Sequence, residues 1–153
     1  SLTHEGNTVL RALRYPPLKG MSLPPGAVRA AAHEDINFIT LLITSTTSGL
    51  QLLNRDGNWL PVNAQPGEIV VDTGDMLQRV TNGLLPATTH RVVNPDNAEE
   101  ERMSLPFFVH PRPEAVLRVL DVCRGPSFPE PVPDITGADF LMQRLADIGL
   151  DRV

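Results

Sequence analysis

Gly49-Leu50-Gln51-Leu52-Leu53-Asn54-Arg55-Asp56-Gly57-Asn58-Trp59-Leu60-Pro61-Val62 carries the clearest local signal in the chain. Two short runs of large apolar residues flank Asp56-Gly57, and Asp-Gly supplies the positive φ that a type I′ turn demands, so a β-hairpin is predicted. Upstream, Phe38, Ile39, Leu41, Leu42 and Ile43 make the stretch from Asn37 to Thr44 a nearly continuous β-favouring run. That pattern is expected of a central strand covered on both faces. Downstream, strands are predicted at Glu68 to Val71, Thr89 to Val93 and Arg102 to Val109, with Asp72-Thr73-Gly74-Asp75 as a turn before a short helical stretch. Short strands closely punctuated by Gly, Pro, Asn and Asp predict a mainly β fold, a sandwich or barrel with the strand count of a jelly roll.

Helix is confined mainly to the end. Pro126, Pro129, Pro131 and Pro133 rule out a regular helix after Cys123 and leave an extended or loop segment, placed to serve as a lid. Thr136 as N-cap, the spacing of Leu141, Leu145 and Ile148, and Gly149 as a stop specify one amphipathic helix that docks on the rest. The expected organisation is one jelly-roll domain over 1–123, with the Pro-rich segment and C-terminal helix of 124–153 packing on it.

The chain has 153 residues, enough for one domain with a respectable core. A net charge of -5 and the lack of any basic run exclude a phosphate-backbone footprint, which makes a small molecule, not nucleic acid, the expected partner. No apolar stretch approaches the roughly 20 residues that cross a bilayer, and Ser1-Leu2-Thr3-His4-Glu5 lacks a signal pattern, so no membrane association is expected. The single cysteine, Cys123, cannot form an internal disulfide, which fits a reducing, cytoplasmic setting. Oligomeric state is not legible.

The chemistry rests on His33-Glu34-Asp35. An extended backbone projects i and i+2 to one side, so His33 and Asp35 can share one ion while Glu34 turns away. His90, opening the run Arg91-Val92-Val93, stands where a strand can bring a third ligand. Two histidines and one carboxylate form the facial triad of non-haem iron(II) sites, which leaves the opposite positions open for molecular oxygen and a second reactant. With a single anionic ligand the site stays net positive, which suits an anionic co-substrate. Arg102 and Ser104, also i and i+2, present a guanidinium fork and a hydroxyl together, a fitting anchor for a carboxylate.

At these residues the chain resembles the isopenicillin N synthase-like branch of the iron(II)/2-oxoglutarate-dependent oxygenases. The resemblance runs through Arg14-Tyr15-Pro16-Pro17, Ala32-His33-Glu34-Asp35, Gly49-Leu50-Gln51, Pro66-Gly67-Glu68, Gly74-Asp75-Met76-Leu77, Thr81-Asn82-Gly83, His90-Arg91-Val92 and Glu101 to Phe108. It covers most of the chain from about Asn7 to Pro111. It implies a double-stranded β-helix, Fe(II) held by His33, Asp35 and His90, the co-substrate carboxylate held by Arg102 and Ser104, and Tyr15 supporting it by hydrogen bond. The implied activity couples oxidative decarboxylation of 2-oxoglutarate to hydroxylation, desaturation or ring closure of a small organic molecule. Family members carry a helix-rich half ahead of the tyrosine motif, so the chain reads as the C-terminal catalytic half.

Two other readings stay open at this point: an isopenicillin N synthase-like oxidase that does not use 2-oxoglutarate, and a non-catalytic metal- or small-molecule-binding jelly roll. Asn37 and Gln51 are weaker candidates for substrate contact, because a strand residue faces either side with even odds. Met76 is expected to fill core, Trp59 to be structural, and His4 and His110 to lie at the surface.

Overall fold

A computed structural model describes residues 2–65, 67–97 and 99–150. The outermost ends of the spans 1–123 and 124–153, and Pro66 of the Pro66-Gly67-Glu68 motif, lie outside the described residues. The strands in chain order are β1 (Val9–Leu10), β2 (Leu13–Tyr15), β3 (Ala30–His33), β4 (Ile39–Ser45), β5 (Leu50–Leu53), β6 (Trp59–Pro61) and β7 (Val70–Thr73). A short helix α1 (Asp75–Val80) follows, then β8 (His90–Val92), β9 (Arg102–Val109), β10 (Val116–Leu117), β11 (Ile135–Thr136) and helix α2 (Gly137–Asp147).

Two antiparallel sheets make the jelly roll. The larger runs β1-β9-β4-β7 with β2 also paired to β9, and the smaller runs β3-β8-β5-β6. This is the double-stranded β-helix expected from the sequence, with the C-terminal helix attached. The hairpin forms as predicted, β5 pairing β6 with Leu53 opposite Trp59. Its turn differs from the type I′ expectation. Only Gly57 takes positive φ, at 79°, while the Asn54 side chain caps the backbone N–H groups of Asp56 and Asn58, giving a longer loop.

Strand β4 is central, between β9 and β7. Its expected burial on both faces does not hold. Thr40 and Leu42 face the cavity between the sheets, whereas the opposite face carries a cross-strand row, Leu10, Phe107, Leu41 and Val71, whose edge members are 57% and 60% exposed. Strand β7 runs two residues later than predicted and takes in Asp72 and Thr73, so the turn begins only at Gly74. This shift turns Asp72 into an inward-facing residue.

The core sits at one end of the roll. Met76 and Val80 of α1, Leu117 of β10 and Phe140 of α2 are buried together, with Ile36 and Phe38 packed against them. Each such side chain contributes about 1.5–3 kcal/mol of burial free energy. Met76 is thus core, as expected. Thr136 caps α2, its hydroxyl accepting from the Asp139 N–H at 3.1 Å, and Gly149 leaves the helix at φ 76°. Strand β11 pairs with β10, so the segments on either side of Cys123 share one small sheet. The Pro-rich segment is no lid: none of residues 125–134 lines either cavity, and its carbonyls accept from Asn82 and Arg79. No helix of the described residues is long and apolar enough to cross a membrane.

Candidate metal centre

His33 closes β3 and His90 opens β8, and the two are direct cross-strand partners. Their rings stand 4.3 Å apart, centroid to centroid. Each Nδ1 lies near the backbone carbonyl two residues earlier, His33 at 2.8 Å from Ala31 O and His90 at 3.0 Å from Thr88 O. A carbonyl only accepts, so Nδ1 is a donor on both rings, which leaves Nε2 as the nitrogen open to a metal. Asp35 Oδ1 faces both, at 3.8 Å from His33 Nε2 and 3.9 Å from His90 Nε2. One donor atom from each of the three lies within 4.8 Å of the others, a grouping able to hold a metal ion.

Asp35 belongs to the turn between β3 and β4, and that turn is clamped from the β7–α1 junction. The N–H groups of Gly74, Asp75 and Met76 donate to the carbonyls of Phe38, Asp35 and Asn37. Gly74 is required there, because a Cβ would lie 2.1 Å from Asn37 O. Ile36 and Phe38 anchor the same turn in the core. Glu34, between the ligand candidates, turns away and accepts from the Thr89 hydroxyl at 2.8 Å.

Two residues outside the expected set touch the triad. Thr40 Oγ1 donates to Asp35 Oδ2, and Asp72 Oδ2 lies 3.2 Å from His90 Nδ1. Burial opposes a charge on His90, but the Asp72 and Thr88 hydrogen bonds and the charge of Asp35 outweigh it, so His90 is pushed up to about 9. Thr40 carries one signal in the sequence, as the polar interruption of the apolar run 38–43; Asp72 carries none, because Asp72-Thr73-Gly74-Asp75 reads as a turn.

The jelly-roll interior is a cavity of about 330 Å³. Arg102 and Ser104, on the inward face of β9, are 1% and 4% exposed and line it with Tyr15, which pairs with Arg102 in register. Arg102 Nε and Nη1 are buried without a hydrogen-bond partner. Burial draws the Arg102 guanidinium below its ordinary value, opposed by Tyr15 and aided by Arg29. A cation kept this dry with two idle donors fits an incoming carboxylate. A second cavity, lined among others by Leu141, Leu145 and His110, meets the first at Arg11, His33, Asp35 and Phe108. His33 and Asp35 therefore stand between the two, while His90 lines the first alone.

Gln51 is a correction. It alternates away from the inward Leu50 and Leu52, lines neither cavity, and accepts from Arg91 Nε at 2.8 Å, with Arg91 stacked 4.0 Å over the Trp59 ring. Asn37 lies outside the β-roll interior but lines the second cavity; it is 1% exposed and its amide donates to Ile39 O and Thr40 Oγ1. His110 is half-buried instead of at the surface, and burial lowers its basicity.

Residues 5–111 match the model of the 2OG-Fe(II) oxygenase superfamily. The chain belongs to that superfamily. A 2-oxoglutarate-dependent dioxygenase of Didymella fabae is 37% identical over 121 residues, 78% of this chain and 36% of its own length. A 2-oxoglutarate-Fe(II) type oxidoreductase of Aspergillus fumigatus is 37% identical over 136 residues, 88% of this chain and 40% of its own. Among solved structures, a full-length Neurospora crassa protein in complex with alpha-KG superposes with a TM-score of 0.86 at 31% identity, over 95% of this chain and 46% of that one. A Caulobacter crescentus structure described as of the 2OG-Fe(II) oxygenase family gives 0.85 at 46% identity, over 96% and 48%. This superfamily member thus spans less than half the length of each of these relatives. The donor set, two imidazoles and one carboxylate, fits Fe(II), and the idle Arg102 donors fit a 2-oxo diacid.

Proposed function

We propose that this chain is the catalytic half of an Fe(II)- and 2-oxoglutarate-dependent dioxygenase acting on a small organic molecule, with His33, Asp35 and His90 as the iron ligands. The convergence of His33 Nε2, Asp35 Oδ1 and His90 Nε2 on one point at the mouth of a cavity carries this reading.

When bound, Fe(II) supplies the redox chemistry that reduces oxygen, one atom entering the substrate as it is hydroxylated and the other the succinate formed with carbon dioxide from 2-oxoglutarate. The residues bind and orient. Arg102 pairs with the distal carboxylate of 2-oxoglutarate through its fork, and the Ser104 and Tyr15 hydroxyls add hydrogen bonds from the same wall. Leu42, Leu50, Leu52, Val70 and Val92 line the rest of that cavity and exclude water from the methylene chain between. The substrate approaches from the second cavity, across His33 and Asp35, where Phe108 and His110 offer a flat apolar ring and a neutral imidazole. We take 1–123 as the jelly-roll domain and 124–153 as its docked extension, since Phe140 of α2 joins the same core.

Anaerobic titration of the full-length protein with Fe(II), with and without 2-oxoglutarate, tests the assignment. A weak visible charge-transfer band that needs both reagents and fades in Arg102→Ala is expected. Iron binding with no such band would favour an oxidase in which Arg102 and Ser104 hold the substrate's own carboxylate. Absence of iron binding would leave a non-catalytic jelly roll.

A further inference from the structure

Thr40 interrupts an apolar strand, and its surroundings dictate the direction of every hydrogen bond it makes. Asn37 Nδ2 lies 3.1 Å from the Ile39 carbonyl and 2.9 Å from Thr40 Oγ1. A carbonyl only accepts, so the Asn37 atom facing it is the amide nitrogen, and Thr40 Oγ1 accepts from that same nitrogen. The one hydroxyl hydrogen of Thr40 is left for Asp35 Oδ2. All three side chains are shielded, Asn37 at 1%, Thr40 at 6% and Asp35 at 8% exposure, so water does not compete along this path.

The two carboxylate oxygens of Asp35 are therefore unequal. Oδ2 is taken by a donor, and Oδ1 faces both imidazole Nε2 atoms. We propose that Thr40, backed by Asn37, is a positioning residue that holds Asp35 as a one-oxygen ligand and so keeps a coordination position open at the metal. The proposal rests on the reading of His33, Asp35 and His90 as iron ligands. A six-coordinate ion held by three protein atoms has three positions left, two for a chelating 2-oxo acid and one for oxygen. An unrestrained carboxylate that chelated through both oxygens would take one of them. The far end of the relay is fastened independently: Asn37 O accepts from Met76 N at 3.2 Å, and the backbone of Gly74 lies directly against it.

The test uses the full-length protein. Thr40→Val removes the hydroxyl at nearly constant shape, Thr40→Ser retains it, and Thr40→Ala replaces the valine variant if that one does not fold. Anaerobic titrations with Fe(II) give affinity, and Co(II), whose visible absorption reports coordination, gives the geometry. Loss of the hydroxyl is expected to weaken Fe(II) binding about 10–100-fold and to alter the Co(II) spectrum, with Thr40→Ser restoring both. A folded Thr40→Val or Thr40→Ala protein with wild-type affinity and spectrum overturns the proposal, even if its thermal melt is lowered, because a merely structural hydroxyl would move only the melt. His33→Ala separates the two failures. If it abolishes metal binding while the Thr40 variants leave binding unchanged, the ligand assignment stands and the positioning role falls. If it binds metal like the wild type, both fall.

Discussion

Asp72 Oδ2 lies 3.2 Å from Nδ1 of His90, although β7 and β8 belong to different sheets. The contact joins the two sheets and orients the His90 ring. Because its ring is held up to about 9, a proton competes with a metal for His90 below that pH.

Iron affinity should accordingly rise as pH climbs from 6.5 toward about 9, by no more than about tenfold per unit. Asp72→Asn removes the strongest of the contributions that raise the His90 value, so its rise should level off at lower pH. Anaerobic Fe(II) titrations of both proteins across this range check the effect. Superimposable pH curves would show that Asp72 does not govern His90.

Arg102→Ala should leave iron binding intact and weaken 2-oxoglutarate binding. Charge-assisted hydrogen bonds contribute about 1.5–3 kcal/mol, so a loss of roughly 10–100-fold in affinity is expected. Arg102→Lys should recover little of it, since an ammonium lacks the planar fork. Calorimetric titration of 2-oxoglutarate into the Fe(II) protein measures both.

Arg144 on α2 donates to Asp75 Oδ2 at 2.8 Å and so ties the C-terminal helix to the turn that clamps Asp35. Asp75 is held above its ordinary 3.8 by burial, with Arg144 pulling it back down. Arg144→Ala should destabilise the protein by about 1–3 kcal/mol at neutral pH, by leaving a buried carboxylate short of a partner. Protonation relieves that penalty. For a carboxyl whose folded value is raised, its stability contribution is complete below the unfolded value and is lost as pH rises through the folded one. The deficit should therefore shrink as pH falls toward 3.8. Urea denaturation at a series of pH values reads this directly.

Gly74→Ala should disturb stability and metal binding together. The new Cβ would meet Asn37 O at 2.1 Å and Asn37 Oδ1 at 2.5 Å, and relieving it must move the turn that bears Asp35. An overpacking cost of about 1–3 kcal/mol is expected, with weaker Fe(II) binding. Unaltered iron affinity in a destabilised protein would mean that the turn tolerates the shift.

Arg102 and Ser104 were legible as an inward pair because strand alternation sets side-chain direction locally. Strand β9 was legible residue for residue for the same reason. Asp35, by contrast, lies in the turn past the end of β3, so its approach to His33 depends on the β7–α1 clamp and not on alternation. The hairpin was visible too, though its turn type was not, because Asn54 caps the loop through a side-chain contact that a dipeptide signal does not reveal. Gln51 was less legible, because it is polar in an apolar run, and which face is the inside depends on what the sheet packs against.

Local sequence thus determined the β-rich character, the paired ligand candidates and the capped C-terminal helix, all of which rest on interactions within a few residues. Tertiary structure alone decided that His33 and His90 are cross-strand neighbours, that Asp72 reaches His90 from the opposite sheet, and that Thr40 restrains Asp35. The two His90 contacts join segments far apart along the chain, and the Thr40–Asp35 bond closes a local turn that distant residues hold in place. Their geometry is set by sheet register and by the Gly74 clamp, where one residue of slip would turn each side chain to the other face.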